Sequence, residues 1–123
     1  MTEIHLKRVY NEPDPSDGYR ILVDRLWPRG MSKERIRIDQ WAKALAPSTE
    51  LRKAWHHDPD QFEHFAHVYR SELEKTDAVS DLLETLDEVS VITFVFASKN
   101  EELNHAVVLR EYCLERYSRR ERE

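Results

Sequence analysis

The sequence predicts an α/β fold, a single domain built on a small, mostly parallel sheet of about four strands flanked by helices. Three observations carry that expectation. Ile21-Leu22-Val23 and Val89 to Ala97 are short, nearly continuous apolar runs, as expected of strands buried on both faces. Between them Phe62, Phe65, Ala66, Tyr69 and Leu73 recur at helical spacing, giving one apolar stripe. The chain has 123 residues, enough to bury one ordinary core and too few for two domains.

The elements follow in order. Ile4 to Tyr10 alternates apolar and polar residues and reads as a half-buried strand. Asn11 to Gly18 holds two prolines and ends in Asp-Gly, which is turn chemistry. Tyr19 to Asp24 is a central strand. Gly30 closes the next loop, and Ser32 is placed to cap a helix by accepting from the Arg35 amide. Residues 36–45 fit strand or helix, with a short strand near 37–42 preferred. Ala46-Pro47-Ser48 breaks the chain, and Ser48 caps a helix from Thr49 to about His56. A second helix spans about 59–74, with Pro59 at its favoured first position. Asp77 caps a third bearing Val79, Leu82, Leu83 and Leu86. Val89 to Ala97 is the last strand, and Asn100 caps a final helix to about Tyr117 with Glu101 and Glu102 in its first turn. The domain is expected over 1–117, with 118–123 a frayed tail.

Composition narrows the function classes. A single cysteine, Cys113, excludes an internal disulfide and a thiolate metal cage, and its place in an apolar stripe makes it a buried, inert thiol. The N-terminal residues lack the apolar stretch of a secretion signal, and no apolar run is long enough to span a bilayer, so a cytoplasmic protein with no membrane partner is expected. Two glycines twelve residues apart cannot write a Gly-rich phosphate loop. The formal net charge is −5, distributed unevenly: residues 1–53 hold 11 Lys/Arg against 8 Asp/Glu, and residues 54–104 hold 3 against 12. The whole-chain charge opposes generic nucleic-acid binding, while the first half retains a basic patch.

Ligands of such sheets sit at the carboxyl ends of the strands, which singles out two loops. Arg25, Trp27, Arg29 and Lys33 leave the second strand. Guanidinium groups grip phosphate or carboxylate bidentately, Lys33 adds a point charge, and Trp27 offers a flat face. Pro28 fixes the backbone between Trp27 and Arg29. A structural reading competes: Arg25 paired with Asp24 or Asp39, and Trp27 plugging the end of the core. Ser98, Lys99, Asn100, Asn104 and His105 leave the last strand. His105 is suited to general acid–base work with Asn104 beside it, and Lys99 and Asn100 to ligand contact. The alternative there is a plain cap and a surface histidine. His56, His57, His64 and His67 form a third cluster, but His64 and His67 fall on the solvent face of their helix with no evident third ligand. No resident cofactor or metal is expected.

Several stretches together resemble one family: Lys7-Arg8-Val9-Tyr10, Asp17-Gly18-Tyr19-Arg20, Val23-Asp24-Arg25-Leu26-Trp27-Pro28-Arg29-Gly30, Ala46-Pro47-Ser48-Thr49-Glu50-Leu51-Arg52, His57-Asp58-Pro59 and Asn104-His105-Ala106-Val107-Val108-Leu109. They are similar to the YeaO-like branch of the family called domain of unknown function 488. The resemblance implies a compact α/β domain of bacterial or archaeal cytoplasm and brings no assigned activity. The family's other branch carries cysteines after the last strand and in the final helix, where this chain has Ala97-Ser98-Lys99 and Asn104-His105-Ala106. Thiol chemistry does not transfer; the histidine does.

The expected function is therefore binding of a small phosphate- or carboxylate-bearing ligand at the strand ends, with acid–base catalysis by His105 as its enzymatic form. An interaction module for nucleic acid or a protein partner, using the basic first half, is the alternative. Metal binding at the histidine cluster is a distant third.

Overall fold

A computed structural model describes residues 3–122 of the chain, with side chains through residue 119. The elements are β1 (Glu3–Arg8), β2 (Tyr19–Leu22), α1 (Lys33–Ile36), β3 (Gln40–Trp41), α2 (Thr49–Trp55), α3 (Phe62–Glu74), α4 (Ala78–Glu88), β4 (Val91–Phe96) and α5 (His105–Arg122). The strands form one sheet in the order β1-β4-β2-β3, and every pairing is parallel.

The side-chain alternation of the strands divides the interior in two. Ile4, Ile21, Val23, Ile92, Phe94 and Phe96 point to the face covered by the helices, where they pack with Leu51, Phe65, Leu82, Leu109 and their neighbours. Leu22 and Val95 point to the opposite face, which is covered by Met31, Ile36 and the partly buried Trp27 and Trp41. The segment from β2 to β3 therefore forms the second layer, although it contains only one short helix. No helix among the described residues is long and apolar enough to cross a membrane.

The caps at Ser32 and Ser48 form as expected, accepting from the Arg35 and Leu51 amides. Two helix starts differ. Asp77 makes no side-chain cap, and Thr76 Oγ1 instead accepts from the Ala78 amide at 3.3 Å. The last helix begins at His105 and not at Glu101. Asn104 Oδ1 accepts from the Val107 amide at 3.1 Å, whereas Asn100 Oδ1 accepts from Glu102 and Leu103 in a separate turn. The buried stripe of α5 starts at Ala106, so residues 101–103 gain nothing by joining the helix. At its other end α5 runs through Arg122, past the expected end at Tyr117, and residue 123 lies outside the described residues.

A buried ion pair ties the amino-terminal end of β2 to the end of α1. Arg20 and Asp17 are only 4 % and 6 % exposed. Arg20 Nη1 donates to Asp17 Oδ2 at 2.6 Å, Nη2 to the Ile36 carbonyl at 2.7 Å and Nε to the Arg37 carbonyl at 3.0 Å. Lys7 Nζ reaches Asp17 Oδ1 at 2.9 Å. The guanidinium thus satisfies the last carbonyls of α1 while Asp17 meets its charge. Gly18 lets this turn close: its φ is +65°, and a Cβ there would meet the Val91 carbonyl oxygen at 2.3 Å. The Asp-Gly-Tyr-Arg stretch is accordingly a piece of scaffold.

Burial raises the Asp17 pKa, but Lys7, the Asp14 amide and Arg20 outweigh it and hold the carboxyl below its ordinary value. A carboxylate with a depressed folded pKa stabilises the protein above its unfolded value, about 3.9, and that contribution is lost as pH falls through the folded value. Asp17→Asn should cost on the order of 3 kcal/mol at neutral pH, the cost of orphaning a buried charge. It should also flatten the stability loss between about pH 5 and pH 2, as measured by urea unfolding across that range.

Candidate functional site

β2 and β4 are neighbours, and their outgoing connections part to opposite faces. The loop after β2 crosses to the Met31 and Ile36 layer, and the loop after β4 leads to α5 on the helical layer. Adjacent parallel strands whose connections diverge leave a crevice between their carboxyl ends. A cleft of about 570 Å³ opens there. Its floor and walls include Ala46, Pro47, Trp55, Phe65 and Pro28, and its rim carries Arg25, Arg29, Arg52, His57, Lys99 and His105.

Asp24 organises the strand ends. Its Oδ2 accepts from the Ala97 amide at 2.9 Å, tying the end of β2 to the end of β4, and its carbonyl accepts from Trp41 Nε1 at 2.7 Å. His105 Nε2 lies 3.1 Å from the Val23 carbonyl and 3.0 Å from Asp24 Oδ1. With oxygen acceptors on both sides, that nitrogen carries the ring hydrogen. Direction decides between the two oxygens. The Val23 carbonyl receives the hydrogen bond, and the buried Asp24 Oδ1 gains proximity without a directed partner. His105 lines the cleft, with 14 % of its side chain exposed. Tyr69 packs edge-on to His105 at 6.3 Å, and its phenol donates to the Leu45 carbonyl; burial raises the phenol pKa well above its ordinary value.

The sequence-derived residues separate into two groups. Arg25, Trp27, Arg29, Lys99, Asn100 and His105 line the one cleft, so both loops converge as expected. Lys33 and Asn104 do not line it. Lys33 opens α1 on the exposed surface. Asn104 is fully buried, with Oδ1 capping α5 and Nδ2 donating to the Asn100 carbonyl at 2.8 Å, so both ends of its amide are spent on backbone.

Arg25 pairs with neither Asp24 nor Asp39. Its Nε donates to the Pro47 carbonyl at 3.1 Å and Nη2 to the Ala46 carbonyl at 3.4 Å, bracing the 46–47 segment against the end of β2. Asp39 is occupied by the Arg20 amide. Trp27 meets Trp41 edge to face at 5.3 Å and donates Nε1 to the Met31 carbonyl at 2.7 Å, which makes it a plug as well as a wall. Arg29 offers its carbonyl to Tyr10 Oη at 3.0 Å, while its guanidinium forms neither a hydrogen bond nor an ion pair among the described residues. The guanidinium of Arg52 and the ammonium of Lys99 are likewise unpaired among the described residues.

Sequence reasoning did not assign Arg52, Trp55 or Tyr10 to this cleft, and it placed His57 in the histidine cluster instead. Trp55 stacks on Phe65 at 4.1 Å and His57 leans on Trp55 at 4.9 Å. Arg52 stands in the same helix as Trp55, three positions before it, and that spacing puts both on one face. This was the readable signal. His64 and His67 are exposed, and among the described residues no group of three His, Cys, Asp or Glu side chains is placed to hold a metal ion. Cys113 is buried, which pushes its thiol up to about 12.

A family model described as the inactive DUF488-N3 subclade, DUF488-N3i, matches residues 3–123. A protein of Escherichia coli strain K12 named uncharacterized protein YeaO is 42 % identical over 109 residues, covering 89 % of this chain and 95 % of that one. Uncharacterized protein Mb3100c of Mycobacterium bovis and uncharacterized protein Rv3073c of Mycobacterium tuberculosis are each 44 % identical over 108 residues, covering 88 % of this chain and 91 % of theirs. No solved structure matches significantly.

Because Arg25 braces two carbonyls and Arg29 and Lys99 brace none, their truncations should part company. Arg25→Ala should lower stability by about 1–3 kcal/mol. Arg29→Ala and Lys99→Ala should stay within about 0.5 kcal/mol of the parent, as read from urea unfolding midpoints.

Proposed function

The chain belongs to the DUF488-N3i family, the inactive DUF488-N3 subclade, and from that premise we propose that it binds a small anionic ligand in the strand-end cleft without turning it over. One observation carries the reading. In a protein of net charge −5, this cleft is lined by Arg25, Arg29, Arg52 and Lys99 against Asp24 alone. Among the described residues three of those cations have no partner, and Oδ2 of the one carboxylate is committed to the Ala97 amide. Unpaired cations gathered over an apolar floor attract an anion, and partial exclusion of water strengthens the attraction.

Absence of turnover is favoured by what surrounds His105. Its Nε2 is spent on holding the end of β2. The nearby hydroxyls are also occupied, Tyr10 Oη by the Arg29 carbonyl and Ser98 Oγ by the Asn100 carbonyl at 3.4 Å. Cys113 is a buried protonated thiol. No activated nucleophile stands beside the histidine, whose ring serves as a contact to the ligand.

The nucleic-acid alternative places binding on exposed cations outside the cleft, among them Lys33, Arg35 and Arg37. Thermal unfolding in inorganic phosphate, sulfate or a short oligothymidylate separates the two. Stabilisation should reach about 2.7 kcal/mol when phosphate exceeds its Kd a hundredfold. It should vanish in Arg29→Ala/Arg52→Ala and persist in Lys33→Ala. An oligothymidylate that stabilises in place of phosphate, through Lys33 and with a steep salt dependence, would contradict the cleft reading.

A further inference from the structure

Resting on the reading of the cleft as an anion site, we infer that its occupant is a phosphomonoester with an apolar body, the phosphate lying on Arg52, Arg29 and Lys99 and the body on Leu26 and Tyr10. The apolar half of the inference comes from the surface. Leu26 is 58 % exposed and Tyr10 38 %, and they are the exposed large hydrophobic residues among those described. Both line this same cleft. Scattered exposed apolar residues carry no meaning, but their coincidence at the mouth of a cationic crevice does. The stacked pair Trp55 and Phe65 continues the apolar surface inward from that mouth. A cleft of about 570 Å³ falls in the range of small-molecule sites and is far larger than a bare phosphate fills.

The charge half comes from the rim. Three unpaired cations exceed what one carboxylate needs and suit a dianion, and the planar forks of Arg29 and Arg52 match phosphate oxygens. Backbone strain marks the same rim. His56 and His57 hold consecutive left-handed conformations at φ 51° and 57°, and the second turns its ring against Trp55 at the cleft wall. Such strain in non-glycine residues persists where surrounding structure enforces it, and ligand clamps are among the places it gathers.

Phenyl phosphate, inorganic phosphate, benzoate and phenol are the probes, titrated calorimetrically into the intact protein. Phenyl phosphate should bind at least tenfold more tightly than inorganic phosphate or benzoate, with phenol silent. Leu26→Ser should reduce phenyl phosphate affinity about tenfold and leave inorganic phosphate unchanged, whereas Arg52→Ala should weaken both. Equal affinity for inorganic and phenyl phosphate overturns the apolar body while the anion site stands. Benzoate binding as tightly as phenyl phosphate overturns the phosphate in the same way. Failure of all three anions to bind overturns the anion site itself.

Discussion

The arrangement at the strand ends depends on one carboxylate. Asp24 holds β4 through the Ala97 amide, receives Trp41 on its carbonyl, and lies against His105 at the start of α5. Strands β2, β3 and β4 and the last helix therefore meet at a single residue. The Ala97 bond to the carboxylate contributes on the order of 1.5–3 kcal/mol and the Trp41 bond to the neutral carbonyl about 1 kcal/mol. Their joint effect is geometric. The ends of two parallel strands are held together although their chains leave for opposite faces, and the space between those chains becomes a cleft of defined shape.

That frame determines which charges are left over. Arg25 stands beside Asp24 in sequence but turns to the Ala46 and Pro47 carbonyls, while Asp24 Oδ2 takes the Ala97 amide and Oδ1 is buried beside His105. The carboxylate is consequently unavailable to Arg29, Arg52 and Lys99. The acidic surplus of the chain is spent elsewhere: Asp81, Glu84 and Glu88 are exposed on α4 and do not line the cleft. A protein with net negative charge thus retains a cationic crevice.

Much of this was legible in the sequence, and for definable reasons. Apolar runs bounded by turn residues gave β2 and β4, helical periodicity gave α3, and Ser32 and Ser48 marked their helix starts, because these signals are local. That the loops after β2 and β4 lie at one edge of the sheet followed from parallel strands, whereas the adjacency of β2 and β4 had no local signal. Long-range pairing was not legible. Asp24 and Arg25 are adjacent, and adjacency suggested a pair that the fold does not make. Asn104 in a run with His105 suggested chemistry, yet its amide is consumed in capping. Arg52 and Trp55 sit in a helix held against the cleft by long-range contacts, Arg25 to the residue 46 and 47 carbonyls, Ser48 to Glu72 and Trp55 on Phe65, which no local pattern announces. The buried Arg20–Asp17 pair was likewise hidden in a turn motif.

The proposed anion belongs on the unpaired cations of the strand-end cleft and on no other basic surface. Amide chemical-shift mapping during titration with inorganic phosphate at low ionic strength tests it most directly. Saturable shifts confined to residues 25–30, 52–57 and 97–100 are expected. Shifts concentrated at residues 33–43, or spread in proportion to ionic strength over the whole surface, would contradict it.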